Sequence, residues 1–204
     1  HEREVEADPE VTRAIAEVAR VMEGEGAQVR EVELPPLQEF YGAQRVIMVV
    51  YEKELERTLR ARKVLFETAT LEVGHTWHEV DLGAAFPTWM ASDEYRDAYF
   101  TQPDDLSLKL DAEFPDFVAG ELRRALTAPT VTENTVVAVT GVATLFGLAR
   151  FSEIVRKVDR DIRGRLLVFF PGQYEHNNYR LLDARDGWNY LAIPITHYSD
   201  EFTP

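Results

Sequence analysis

Apolar and polar positions along this chain fall into two alternating kinds of pattern. Arg45–Tyr51 (RVIMVVY), Thr135–Thr140 (TVVAVT) and Leu166–Phe170 (LLVFF) are nearly unbroken apolar, β-branched or aromatic runs. Such runs predict central strands buried on both faces. Trp77–Leu82 predicts a further short strand, and Val29–Leu34 (VREVEL) alternates apolar and charged residues as a half-buried strand does. Between these runs the apolar spacing is helical. Asp8–Gly24 opens with an Asp-Pro cap, and Leu55, Leu59, Arg62, Leu65, Phe66 and Ala69 make one stripe within 52–72, closed by Gly74. Two or three helices are expected between Gly83 and Leu126, among them Asp93–Phe100 and Asp104–Leu126, the second kinked or split at Pro115. Val142–Val158 reads as one more helix. Pro171-Gly172 is expected to end the Leu166 strand, and Asp186-Gly187 predicts the turn of a C-terminal hairpin between Tyr179–Leu182 and Leu191–Ile195.

The order of strands and helices predicts an α/β fold: an open, mostly parallel sheet with helices on both faces and a C-terminal hairpin, Rossmann-like or P-loop-like without the phosphate loop. Residues 1–40 read as a helix-strand appendage and 41–204 as the main α/β domain.

Composition narrows the chemistry. The chain has no cysteine, so disulfides, thiol nucleophiles and cysteine-bound metals are excluded. The start, HEREVEADPE, lacks the apolar core of a signal peptide, no apolar run approaches a membrane span, and a cytoplasmic address is expected. A net charge of −14 repels phosphate backbones, so nucleic acid is expected only indirectly, within a complex. The basic clusters Arg57, Arg60, Arg62, Lys63 and Arg156, Lys157, Arg160, Arg163, Arg165 read as solvated faces or as a docking patch for an acidic partner.

Catalytic signatures do not emerge. His75-x-x-His78 lacks the partners a zinc site requires. After Tyr51 the chain continues Glu52-Lys53-Glu54, with no glycine and with anionic side chains where a phosphate would sit. Gly141-Val142-Ala143-Thr144-Leu145-Phe146-Gly147 matches neither phosphate-loop pattern, and neither G-x-S-x-G nor S-x-x-K occurs. No cofactor and no metal is expected. The residues that remain are at strand C-terminal ends: Thr140, Gly141, Pro171, Gly172, Gln173, Asn178 and Arg180, with Arg150 on the helix after Gly141. Glycine allows close backbone approach, asparagine offers donors and an acceptor, and arginine makes forked pairs with carboxylates or phosphates. Turn chemistry with an ion pair to Asp183 or Asp186 explains the same residues.

TVVAVTGVATLFGLARFSEIV and GRLLVFFPGQYEHNNYRLLDARDGWNYLAIPIT resemble the BrxB family, a small component of BREX (bacteriophage exclusion) defence systems of prokaryotes. The likeness rests on Thr140-Gly141-Val142, Arg150, Phe170-Pro171-Gly172-x-Tyr174, Tyr179-Arg180-Leu181-Leu182 and Trp188-Asn189-Tyr190, and extends over roughly 40–196. It departs at Gly147-Leu148, where an aromatic-Pro pair is expected. The resemblance implies a cytoplasmic, non-catalytic assembly subunit whose partners are other BREX components: the PglZ-type phosphatase-like protein first, then an ATPase or methyltransferase. The N-terminal DPEVTRAIAEVARVMEGEGAQVREVELPPL is similar to a helix-strand unit of amidase signature enzymes, but their Ser-Ser-Lys apparatus is absent. Two functions are therefore weighed: an interaction module presenting the strand-end loops, or a nucleotide-binding or hydrolytic enzyme using them.

Overall fold

A computed structural model describes residues 28–30, 45–175, 178–182 and 193–198. The predicted Asp8–Gly24 helix and the Asp186-Gly187 turn lie outside them. In chain order the elements are β1 (Gln28–Arg30), β2 (Val46–Tyr51), α1 (Glu56–Glu72), β3 (Thr76–Asp81), α2 (Ala85–Ala91), α3 (Arg96–Thr101), α4 (Leu106–Leu126), β4 (Thr135–Thr140), α5 (Phe151–Val158), β5 (Arg165–Glu175), β6 (Asn178–Leu181) and β7 (Ile193–Tyr198). The protein is α/β, as the pattern predicts.

The sheet order is β1-β7-β2-β5-β4-β3, with β6 paired to the far end of β5. From β7 to β3 every pairing is parallel, whereas β1 on β7 and β6 on β5 are antiparallel. Gln28–Arg30, from the segment read as an appendage, thus adds an edge strand to this sheet.

Two-residue alternation divides the core between the faces. Val46, Met48 and Val50 of β2, Val137 and Val139 of β4, and Leu166, Val168 and Phe170 of β5 pack with α2, α4 and α5. The alternate residues, Ile47, Val49, Val136, Ala138, Leu167 and Phe169, pack under α1 through Leu59 and Phe66. Phe66 meets Phe169 edge-to-face at 5.1 Å between ring centroids, a geometry that suits the aromatic quadrupoles.

Local structure departs from the sequence expectation at five places. Pro171-Gly172 does not end β5: Pro171 stays in register with Tyr51, its carbonyl accepts the Leu182 N–H at 3.0 Å, and Gly172 pairs with Leu181. Pro171 forms the last pair of the parallel β2–β5 ladder, so no further ladder bond to β2 depends on the N–H it lacks. The C-terminal hairpin accordingly comes one strand earlier, between β5 and β6, while β7 crosses to the other side of β2. Val142–Val158 is not one helix. A 3-10 turn over Val142–Leu145 gives way to extended Phe146 and left-handed Gly147 before α5 starts. Asp93 does not start a helix; its Oδ1 accepts the Tyr95 N–H at 2.8 Å, an Asx turn that delays α3 to Arg96. Pro115 does not split α4, which runs unbroken from Leu106 to Leu126 with the proline buried.

Candidate functional site

The strands β2, β3 and β4 are each six residues long, and each ends on a residue bearing a polar group: Tyr51, Asp81 and Thr140. Register sets Asp81 opposite Thr140, and alternation turns all three toward the face that α1 covers. In open α/β sheets the crevice beyond the strand carboxyl ends, where outgoing chains leave toward opposite faces, is the usual ligand position. Here β2 leads to α1 on one face, while β4 leads to α5 on the other. The crevice is a cleft of about 160 Å³ lined by Tyr51, Glu56, Leu59, Arg60, Lys63, Asp81, Thr140, Gly141 and Phe169.

Helical spacing puts Glu56, Leu59, Arg60 and Lys63 on one stripe of α1 above the cleft. The Tyr51 hydroxyl donates to Glu56 Oε2, and Arg60 Nε donates to Glu56 Oε1 at 2.6 Å. Burial, followed by the Glu56 carboxylate, lifts the Tyr51 phenol far above its ordinary range, and Glu56 also raises the Arg60 guanidinium. Lys63 pairs with Glu79 of β3. Asp81 Oδ1 accepts the Gly83 N–H at 2.8 Å. Each charged group of the cleft therefore has a protein partner.

Gly141 closes the cleft floor. Its φ of +75° is left-handed, and an added Cβ would lie 2.5 Å from Asp81 Oδ1 and 2.9 Å from Gly83 Cα. The β3 and β4 exits can approach this closely only around a glycine. The Thr144 hydroxyl lies 2.7 Å from the Gly141 carbonyl and 3.2 Å from that of Leu82, tying the two exits together.

Of the strand-end residues singled out from sequence, the cleft takes in Thr140 and Gly141, and Arg60 and Lys63 of the first basic cluster line it as well. Pro171 and Gly172 are buried in β5, and Gly172 leaves room for the Arg180 carbonyl, which any Cβ would overlap. Gln173, which is exposed, lies across from Arg180 on the β5–β6 hairpin, and Asn178 is in register with Glu175. Tyr179 is fully buried between Phe170 and Tyr174, at 5.9 and 4.7 Å between centroids, so this hairpin is anchored by its aromatic face. Arg150 is exposed at the start of α5, 3.8 Å from Glu153. The eight residues thus divide among the cleft, the hairpin and the α5 cap.

Sequence reading missed Tyr51, Glu56 and Asp81. The available signal was a polar group closing each apolar strand, together with the Glu56/Arg60 spacing of four. His75 lies just before β3 and His78 within it, and no group of three or more metal-ligating side chains occurs among the described residues. None of the described helices is long and apolar enough to cross a membrane.

The fold and the cleft define an α/β protein with a mostly parallel sheet between helices. No family model matches the chain, and neither the characterised proteins nor the solved structures give a significant match.

Proposed function

We propose that the chain is a non-catalytic assembly subunit of a BREX-type anti-phage defence complex of prokaryotes. It works in the cytoplasm through protein–protein contacts, with the PglZ-type phosphatase-like component as its first partner and nucleic acid reached only through the complex. The observation that carries this reading is the work done by the residues behind the BrxB resemblance. Gly141 lets two strand exits meet, Gly172 admits a neighbouring carbonyl, and Tyr174 and Tyr179 pin a hairpin. These are architectural roles, so a chain that keeps them keeps a shape rather than a reaction centre.

The cleft supports the same reading. At about 160 Å³ it is smaller than the roughly 300–1,000 Å³ of small-molecule sites. Its charged groups already have protein partners: Glu56 with Tyr51 and Arg60, Asp81 with the Gly83 N–H, and Lys63 with Glu79.

The test is affinity capture of the tagged full chain co-expressed with its neighbouring defence components. Recovery of the PglZ-type protein in constant ratio is the expected result. Recovery of the chain alone, with those components abundant in the same cells, would overturn the proposal. A nucleotide panel separates the enzyme alternative: a ligand at 100 times its dissociation constant stabilises the folded state by about 2.7 kcal/mol, and the proposal expects no such rise in Tm.

A further inference from the structure

We infer that α3 and the first turns of α4 form a docking surface for a partner-protein segment that carries both basic and large apolar side chains. This rests on the assembly-subunit reading and assigns the contact to a part of the molecule away from the strand-end cleft.

Three large apolar side chains on this stretch stand in solvent: Tyr95 is 58% exposed, Phe100 78% and Leu108 83%. Their neighbours Tyr99, Leu106 and Leu110 pack against the core. The segment is therefore apolar on both sides, and among the described residues one side is left open to solvent. Aromatic and aliphatic side chains displayed this way, rimmed by charge, mark interaction sites.

Charge states the partner's chemistry. Residues 93–113 carry seven carboxylates against two cations. Lys109 pairs with Asp93 at 2.5 Å and lies 3.7 Å from Glu113, and Arg96 pairs with Asp97 at 3.4 Å. Glu94, Asp104, Asp105 and Asp111 have no ion pair among the described residues. Apolar groups within uncompensated carboxylates favour an apolar segment flanked by lysine or arginine. A nucleic acid or an anionic lipid surface would be repelled, and a symmetric pair of copies would set carboxylate against carboxylate. The surface is also pre-formed, because the Asp93 Asx turn and the Asp93–Lys109 pair tie the start of α3 to α4. Pre-formed surfaces lose less entropy on binding.

The experiment uses the full tagged chain co-expressed with the PglZ-type component, comparing wild type with two double variants, Phe100→Ala/Leu108→Ala and Asp104→Lys/Asp105→Lys. Each is expected to lower recovered partner by about tenfold or more, as loss of a hot spot does. Both should retain the wild-type Tm, and wild-type capture should weaken as salt is raised. If the apolar variant unfolds, the charge reversal on two exposed side chains carries the test. Undiminished capture by folded variants, or a wild-type dimer that Phe100→Ala/Leu108→Ala abolishes, would overturn the docking surface while leaving the assembly role standing. Failure of the wild type to recover the component would instead remove the assembly role and the surface with it.

Discussion

The strand-end cleft and the α3–α4 surface handle polarity in opposite ways. In the cleft, charged groups meet protein partners: Glu56 accepts from both Tyr51 and Arg60, and Lys63 reaches Glu79. Around α3 and the start of α4, Tyr95, Phe100 and Leu108 face water beside carboxylates that have no ion pair among the described residues. The first arrangement ties α1 to the strand ends through these pairs. The second contributes little to folding and retains its capacity for binding. A polar position at the mouth of an α/β sheet is thus no guide to function until its hydrogen bonds are counted.

Substitutions sharpen this contrast. Phe66→Ala removes the ring that seals α1 onto Phe169 and should cost about 3–5 kcal/mol, read from urea unfolding. Gly141→Ala combines a left-handed backbone with a clash at the β3 exit and should cost about 2–4 kcal/mol in the same assay. Tyr51→Phe deletes a buried donor to a carboxylate and should cost about 1–2 kcal/mol. The exposed pair Phe100→Ala/Leu108→Ala should shift stability by less than about 0.5 kcal/mol. A cost approaching that of Phe66→Ala would mean those side chains belong to the fold.

Alkaline pH probes the buried phenols. Tyr51 and Tyr179 are held protonated in the folded chain, Tyr51 by burial and then Glu56, Tyr179 by burial and then Tyr174. In the unfolded chain both ionise near about pH 10. Their folded pKa values are raised, so the stability they contribute is complete below about pH 10 and declines as pH rises beyond it. Unfolding measured between about pH 8 and about pH 11 should show that decline, and Tyr51→Phe should flatten it.

How much of this was legible in the sequence follows from range. β2, β4 and the first part of β5 announce themselves because burial on both faces demands unbroken apolar runs. The end of β5 was misread because Pro-Gly is a local turn signal, and only the partners Tyr51 and Leu181 make it strand. The break before α5 was missed because Val142–Val158 has helical spacing on both sides of Gly147. The cleft needs the sheet order: Tyr51, Asp81 and Thr140 are far apart in the chain, and their meeting depends on β5 and β4 inserting between β2 and β3. No local pattern encodes that insertion.

The most direct measurement sets the two regions against each other in one protein. Tyr51→Phe/Arg60→Ala and Phe100→Ala/Leu108→Ala are each assayed for unfolding free energy and for capture of the PglZ-type component. The first pair should lose stability and, at temperatures where it remains folded, retain capture; the second should retain stability and lose capture. A fully stable Tyr51/Arg60 variant that no longer captures its partner would place binding at the cleft and contradict the account.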